Sequence, residues 1–249
     1  MVNPSLHPRR ALVFSAGGAF GAYQAGVWQA LEEARWQPDL LAGASIGAVN
    51  AAAVARGASA RRLQQWWRDP ASNIFHGNWT RSLRHRLQEL LQEFPPTSAA
   101  ARLLVTATRL PSTRIEVFQD DQVTASVLQA SCAVPVFFSP VRLAGRLYID
   151  GGIFRRLPAI PTAGAIAVDL LHAPPSRLLR FLLNFAISLR SLFLHDPAGV
   201  TPSLLIHPRR RLGSPRDLLR WDLSLIDRWI DQGYRDARRA LADSGRLTS

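Results

Sequence analysis

The chain alternates short apolar runs with longer segments in which apolar residues recur at helical spacing. Residues 11–15 form an apolar run typical of a buried strand, and residues 22–34 follow with the pattern of a helix. Residues 39–44 form a second apolar run, which leads into the alanine-rich stretch 48–56, a composition that favours helix. The order strand, glycine turn, helix, strand, sharp turn, helix predicts a parallel sheet covered by helices.

The remaining sequence continues this alternation. The predicted elements are one or two helices over 60–94, strands at 103–108 and 114–118, a helix over 123–132, strands within 142–149 and at 165–170 and 204–207, and an amphipathic helix over 222–242. No internal repeat or low-complexity linker interrupts them. We therefore predict an α/β fold in a single domain spanning residues 1–249, with the chemical motifs within 11–160.

Composition narrows the chemistry that this domain can perform. Hydrophobic residues make up 47% of the 249, enough for a sizeable core, and the single cysteine, Cys132, excludes an intramolecular disulfide. Neither CxxC nor HExxH occurs, so we predict no metal site and no cofactor. All 30 basic residues are arginine, and the absence of lysine excludes Schiff-base chemistry and a Walker-type phosphate loop.

The formal charge of +12 has two interpretations. It reflects either a sequence biased towards arginine or attraction to anionic lipid head groups. Nucleic-acid binding would also gain from this charge, but the arginines are scattered and no basic block alternates with aromatic residues, so no nucleic-acid partner is expected. No signal peptide is predicted, and no uncharged run reaches the length of about 20 residues that spans a bilayer. We expect a cytoplasmic protein, with peripheral contact to the inner face of the membrane.

A candidate nucleophile lies at the second strand-to-helix junction. Residues 43–47 read Gly-Ala-Ser-Ile-Gly and fit the G-x-S-x-G pattern around Ser45. Small residues at Gly43 and Gly47 allow the backbone to reverse sharply, which presents the hydroxyl above the sheet at a helix N-terminus. The pattern alone is weak, and its place between a predicted strand and a predicted helix gives it weight.

Two further glycine-rich motifs surround this one. Gly17, Gly18 and Ala19 follow the first strand, where free backbone N–H groups are able to stabilise an oxyanion. A dinucleotide-binding loop is the rival interpretation, but Ala16 occupies the place of its first glycine. Asp150 ends a predicted strand and is followed by Gly151 and Gly152, a sequence that allows a carboxylate to approach another loop.

In order and spacing, the three motifs resemble those of the patatin-like phospholipase family, and the resemblance covers most of residues 11–243. It implies a three-layer α/β/α fold with a mainly parallel sheet. It also implies a catalytic dyad in which Ser45 attacks an ester carbonyl and Asp150 is the general base, while amides near Gly17, Gly18 and Ala19 hold the oxyanion. The implied activity is that of a lipid acyl hydrolase, either a phospholipase A, a lysophospholipase or a carboxylesterase, without a metal or cofactor.

Two alternatives remain open at this point. One is a catalytically silent lipid- or membrane-binding protein of the same fold. The other is an esterase with a Ser-Asp-His triad, for which Asp169 with His207, or Asp150 with His172, gives the required order.

Three features of the sequence need a structural explanation. The family often carries a basic residue where Phe20 stands, and an asparagine where Arg156 stands. Residues 177–195 place polar side chains on one helical stripe, which is typical either of a helix lying in a membrane interface or of a core helix.

Overall fold

The computed structural model describes residues 10–73, 79–96, 101–160, 164–172 and 201–245. The segment 177–195, predicted as an interfacial or core helix, lies outside the described residues. The single-domain organisation stays a prediction.

A mixed eight-stranded sheet forms the centre of the described structure. Its strands are β1 (Ala11–Phe14), β2 (Leu40–Ala44), β3 (Arg102–Leu110), β4 (Arg114–Gln119), β5 (Val141–Leu143), β6 (Arg146–Asp150), β7 (Ala165–Val168) and β8 (Leu204–Ile206). Strands β3, β2, β1, β7 and β8 are neighbours in that order and run parallel, whereas β4 and β6 pair antiparallel with β3, and β5 antiparallel with β6.

Six α-helices accompany this sheet in the described ranges. They are α1 (Ala22–Glu33), α2 (Ile46–Ala55), α3 (Ala60–Arg68), α4 (Trp79–Glu93), α5 (Ala125–Ser131) and α6 (Leu223–Asp243). The α/β class is confirmed. The segment 60–94 contains two helices, and Pro70, which starts a short 3-10 helix, follows the end of the first. Helix α2 begins at Ile46 because the turn at Ser45 leads directly into it.

The two faces of the sheet are covered differently. Leu12, Phe14 and Leu41 point to one face, where they join a large core built with all six helices. Ala11 and Val13 point to the other face, in a smaller core that contains no residue of the described helices and includes Ile160. This alternation follows from the two-residue period of a strand.

Strand β3 brings two distant parts of the chain together. Its residues Leu104–Thr106 pair with both β2 and β4, and its residues Ala107–Arg109 pair with both β4 and β6. Because a strand has only two edges, β2 and β6 must lie on the same edge of β3, one after the other. Ala44 is opposite Thr106 and Asp150 is opposite Ala107. The end of β2, where Ser45 follows, therefore meets the end of β6.

Candidate active site

Ser45 occupies a strained turn between β2 and α2. Its backbone has φ 54° and ψ −131°, a conformation that residues other than glycine rarely adopt. A Cβ on Gly43 would lie 2.3 Å from the carbonyl oxygen of Gly47, and one on Gly47 would lie 2.5 Å from that of Phe14. The flanking glycines are thus required by contact between backbones, as predicted from the G-x-S-x-G pattern.

Asp150, at the end of β6, is buried with 2% of its surface exposed. Its Oδ1 accepts a hydrogen bond from the N–H of Gly152 at 2.7 Å, whereas Oδ2 is buried and has no hydrogen-bond partner among the described residues. The Ser45 hydroxyl favours the charged form of this carboxyl and lowers its pKa, which places it within interaction range of Asp150.

The environment of Asp150 favours a base that is active near neutral pH. Burial raises its pKa from 3.8 to about 6, because it disfavours the charged carboxylate, and this effect outweighs the opposing influence of Ser45 and the N–H groups of Gly152 and Ile153. Burial also raises the pKa of Cys132, and the charge of Asp150 raises it further. The neighbouring thiol is therefore neutral and a poor competing nucleophile.

Ser131 links the serine turn to the aspartate loop, a role that no sequence motif indicated. Its Oγ accepts from the N–H of Ser45 at 2.9 Å, and its carbonyl oxygen accepts from the N–H of Gly151 at 3.1 Å. Ser131 is fully buried at the end of α5. One residue thus fixes the relative position of both predicted catalytic residues.

The glycine loop after β1 forms a 3-10 helix, Gly18–Gly21, that continues into α1. Among the described residues, none accepts a hydrogen bond from the backbone N–H of Gly17, Gly18 or Ala19. Gly18 has φ +55°, and a Cβ there would lie 2.3 Å from the carbonyl oxygen of Leu218. The loop thus combines free donors with a helix N-terminus, an arrangement suited to an anion.

A buried hydrogen-bond network holds this loop against α2. Asn50 donates to the carbonyl of Gly21 at 2.9 Å and to the side chain of Gln24 at 2.8 Å, and it accepts from Trp67 Nε1 at 3.0 Å. Gln24 in turn donates to the carbonyl of Ser15 at 2.8 Å. No sequence pattern indicated a role for these side chains, because each lies within an ordinary helical pattern.

The two departures from the family pattern have structural roles. Phe20 is buried and packs edge-on against Trp229, with ring centroids 5.1 Å apart, so it serves the core. The carbonyl of Arg156 accepts from the N–H of Ala16 at 3.0 Å, and its guanidinium pairs with Asp169 at 3.5 Å. Arg156 therefore anchors the start of the glycine loop.

The two histidines of the alternative triads, His172 and His207, contact each other, and His172 also contacts Asp169. His172 Nδ1 is 3.8 Å from Asp169 Oδ2, and its ring stacks on His207 with centroids 4.3 Å apart. In the described part of the chain, neither ring forms a hydrogen bond or an ion pair with Ser45 or Asp150. The geometry supports a two-residue site more than a histidine triad. The described residues also contain no group of three or more His, Cys, Asp or Glu arranged to hold a metal ion.

Fold and site together define an α/β protein with a strained serine at a strand-to-helix turn, beside a buried carboxylate. The family model of the patatin-like phospholipases matches residues 12–163. This chain belongs to the patatin-like phospholipase family.

Similar proteins agree with this assignment. An uncharacterised NTE family protein of Mycobacterium tuberculosis is 31% identical over 209 residues, covering 71% of this chain and 53% of the relative. Human patatin-like phospholipase domain-containing protein 6 is 30% identical over 178 residues, covering 60% of this chain and 12% of that protein. The chain thus spans about half the length of the mycobacterial relative.

Two solved structures share the fold. VipD from Legionella pneumophila superposes with a TM-score of 0.57 at 17% identity, covering 94% of this chain and 67% of VipD. The type III effector protein ExoU superposes with a TM-score of 0.50 at 17% identity, covering 97% of this chain and 54% of ExoU. At this identity the likeness concerns the fold alone.

Proposed function

We propose that this protein is a lipid acyl hydrolase that uses Ser45 and Asp150 as a catalytic dyad. Membership of the patatin-like phospholipase family supports lipid ester hydrolysis at the level of the family. The proposal of a Ser45–Asp150 dyad rests on the position of Ser45. This residue is held in a left-handed conformation where β2 ends against the buried carboxylate of Asp150.

In the first half-reaction, the Ser45 hydroxyl transfers its proton to Asp150 as Oγ bonds to the ester carbonyl carbon. The unpaired Oδ2 of Asp150 is the available acceptor. The carbonyl oxygen becomes an oxyanion, which the N–H groups of Gly17, Gly18 and Ala19 stabilise. The carbon–oxygen bond to the alcohol then breaks, and the departing oxygen takes the proton from Asp150.

In the second half-reaction, water attacks the acyl-enzyme carbonyl and Asp150 takes a proton from it. The same backbone donors hold the second oxyanion. Cleavage of the bond to Oγ releases the fatty acid, and the proton returns from Asp150 to Ser45. No metal or cofactor takes part in either half-reaction of this scheme.

An exposed apolar turn beside the aspartate supports a lipid substrate. The N–H of Asp150 donates to the carbonyl of Ala133 at 3.0 Å. Val136, three residues after Ala133, is 98% exposed and has a left-handed conformation with φ 78°. Phe137 is 41% exposed and stacks on Trp79. Large apolar side chains exposed next to a site suit acyl chains and peripheral contact with a lipid surface. Within the described residues, no helix is both long and apolar enough to cross a bilayer.

A fluorophosphonate probe, which modifies activated serines, tests the dyad. We expect labelling of the wild type, no labelling of Ser45→Ala, and labelling at least 100-fold slower in Asp150→Asn, the order of magnitude lost with a general base. Ser126→Ala removes a hydroxyl from the half-buried part of α5 and serves as the matched control. Labelling of Ser45→Ala at the wild-type rate would exclude Ser45 as the nucleophile.

The silent lipid-binding protein remains the second candidate, since neither hydrolysis nor binding follows from fold alone. It predicts vesicle binding without any probe labelling or release of fatty acid from phospholipid or neutral esters. The same set of variants therefore separates the two candidates.

A further inference from the structure

A cleft of about 680 Å³ lies between the loop 209–213 and the outer face of α6. Its basic lining residues, here called the arginine cleft, are Arg209, Arg210, Arg211, Arg228, Arg235 and Arg239. All of them are exposed. Residues 228, 232, 235 and 239 follow one another at spacings of four, three and four, so they form a single stripe along the helix.

Positive charge in this cleft is poorly compensated. Asp236 is the one carboxylate among the described residues that line it, and it accepts from the Tyr23 hydroxyl and from the backbone N–H of Arg209, each at 3.2 Å. Arg235 pairs with Asp231 at 2.7 Å. Among the described residues, no carboxylate pairs with the side chains of three of its members, Arg210, Arg211 and Arg239.

Unpaired guanidinium groups crowded into one concavity repel each other unless an anion lies between them. Guanidinium is planar and offers several donors in a fixed fork, which matches the oxygen atoms of a phosphate group. The composition of the cleft therefore favours a ligand that presents several phosphates.

The loop that lines the arginine cleft and the residues that follow it pack against the glycine loop. Leu212, in its loop, accepts from Trp229 Nε1 at 2.8 Å, and Trp229 packs against Phe20 of the glycine loop. A few residues further on, the carbonyl of Leu218 lies against Gly18. The segment from Leu212 to Leu218 therefore links the cleft to the glycine loop through direct packing contacts.

We propose that the arginine cleft docks the protein on the phosphate groups of an anionic lipid bilayer. The described residues that line the cleft include no aromatic side chain, so they lack the stacking platform on which single-stranded nucleic acids depend. The inference deepens the proposed function by naming the surface that meets the substrate, and it rests on that function only in taking the bilayer as the source of substrate.

Vesicle co-sedimentation tests the docking surface without requiring catalysis. The protein is the full chain with Ser45→Ala, and the vesicles are phosphatidylcholine alone or phosphatidylcholine mixed with phosphatidylglycerol. We expect binding to the mixed vesicles only, weakened by added salt because surface charges are screened.

The decisive variant combines Arg210→Gln, Arg211→Gln and Arg239→Gln. Each arginine near an anionic surface contributes about fivefold to partitioning, so the triple variant is expected to bind about 100-fold more weakly. The matched control combines Arg61→Gln, Arg84→Gln and Arg114→Gln, three exposed arginines outside the cleft, and is expected to bind nearly as the parent does.

The outcomes separate docking from catalysis. With Ser45 restored, the cleft variant should hydrolyse a soluble short-chain ester at the parental rate and lose activity only on anionic vesicles. Equal weakening by the two triple variants, or unchanged binding by the cleft variant, would overturn the proposal. Tighter binding of the parent to duplex DNA than to vesicles at the same salt concentration, lost in the cleft variant, would assign the cleft to nucleic acid and also overturn it.

Discussion

Replacing Asp150 with asparagine should stabilise the fold at neutral pH while it abolishes the proposed base. The carboxyl is buried, and one of its oxygens has no hydrogen-bond partner among the described residues. An ionised carboxylate in that position is poorly solvated. Asparagine retains an oxygen that can accept from the N–H of Gly152, but it has no charge to bury.

The magnitude follows from the raised pKa. In the unfolded chain the aspartate has a pKa near 3.8, and in the folded protein burial raises it to about 6. Below pH 3.8 both states hold the proton, so the charge adds nothing to the free energy of unfolding. Between these values only the unfolded state ionises, and folding stability falls as the pH rises. A shift of about 2 pKa units amounts to about 3 kcal/mol, which the wild type loses by neutral pH and the asparagine variant keeps.

The assay is urea denaturation of wild type and Asp150→Asn at a series of pH values from 4 to 8. We expect the difference in free energy of unfolding to grow in favour of the variant up to about pH 6 and then to level off. Asp121→Asn, which removes the same charge from an exposed position, is the matched control. A difference that does not change with pH, or one that favours the wild type at neutral pH, would refute the assignment of a buried, poorly solvated carboxylate at Asp150.

Two further predictions concern the geometry that holds Ser45. Ser131→Ala leaves the buried N–H of Ser45 without its acceptor, so we expect a loss of about 1–3 kcal/mol in urea denaturation and roughly tenfold slower probe labelling; unchanged labelling would mean that Ser131 does not position the nucleophile. Gly47→Ala places a Cβ 2.5 Å from the carbonyl of Phe14, and we expect a loss above about 3 kcal/mol or failure to fold. The control Gly57→Ala meets no atom within 4 Å and should lose only about 1 kcal/mol through its positive φ, so equal losses would contradict the steric argument.

Much of the fold was predictable because its signals are local. A buried strand needs a continuous apolar run, and a helix needs apolar residues at fixed spacing, so the alternation over residues 11–56 matches β1, α1, β2 and α2 closely. The G-x-S-x-G motif likewise predicted the sharp turn at Ser45. A Cβ on either of its glycines would clash with backbone atoms of the same strand-to-helix unit or of the adjoining strand.

The assembled site depended on contacts between distant residues. Ser45 and Asp150 approach each other because β2 and β6 occupy the same edge of β3, which is a matter of strand order and register. Ser131 binds the serine turn from 86 positions away, and its own surroundings in the sequence resemble an ordinary helix end. Burial, which sets the pKa of Asp150, is equally a property of the packed core.

The sequence by itself determined which residues are chemically able to act: a serine in a glycine turn, an aspartate before two glycines, free amides after a strand and an excess of arginine. Tertiary structure decided which of them meet. The arginines looked scattered along the chain, yet the loop 209–211 and one stripe of α6 gather six of them in a single cleft. Spacing within one element is fixed by backbone geometry, whereas proximity between elements is fixed only when the sheet and core assemble.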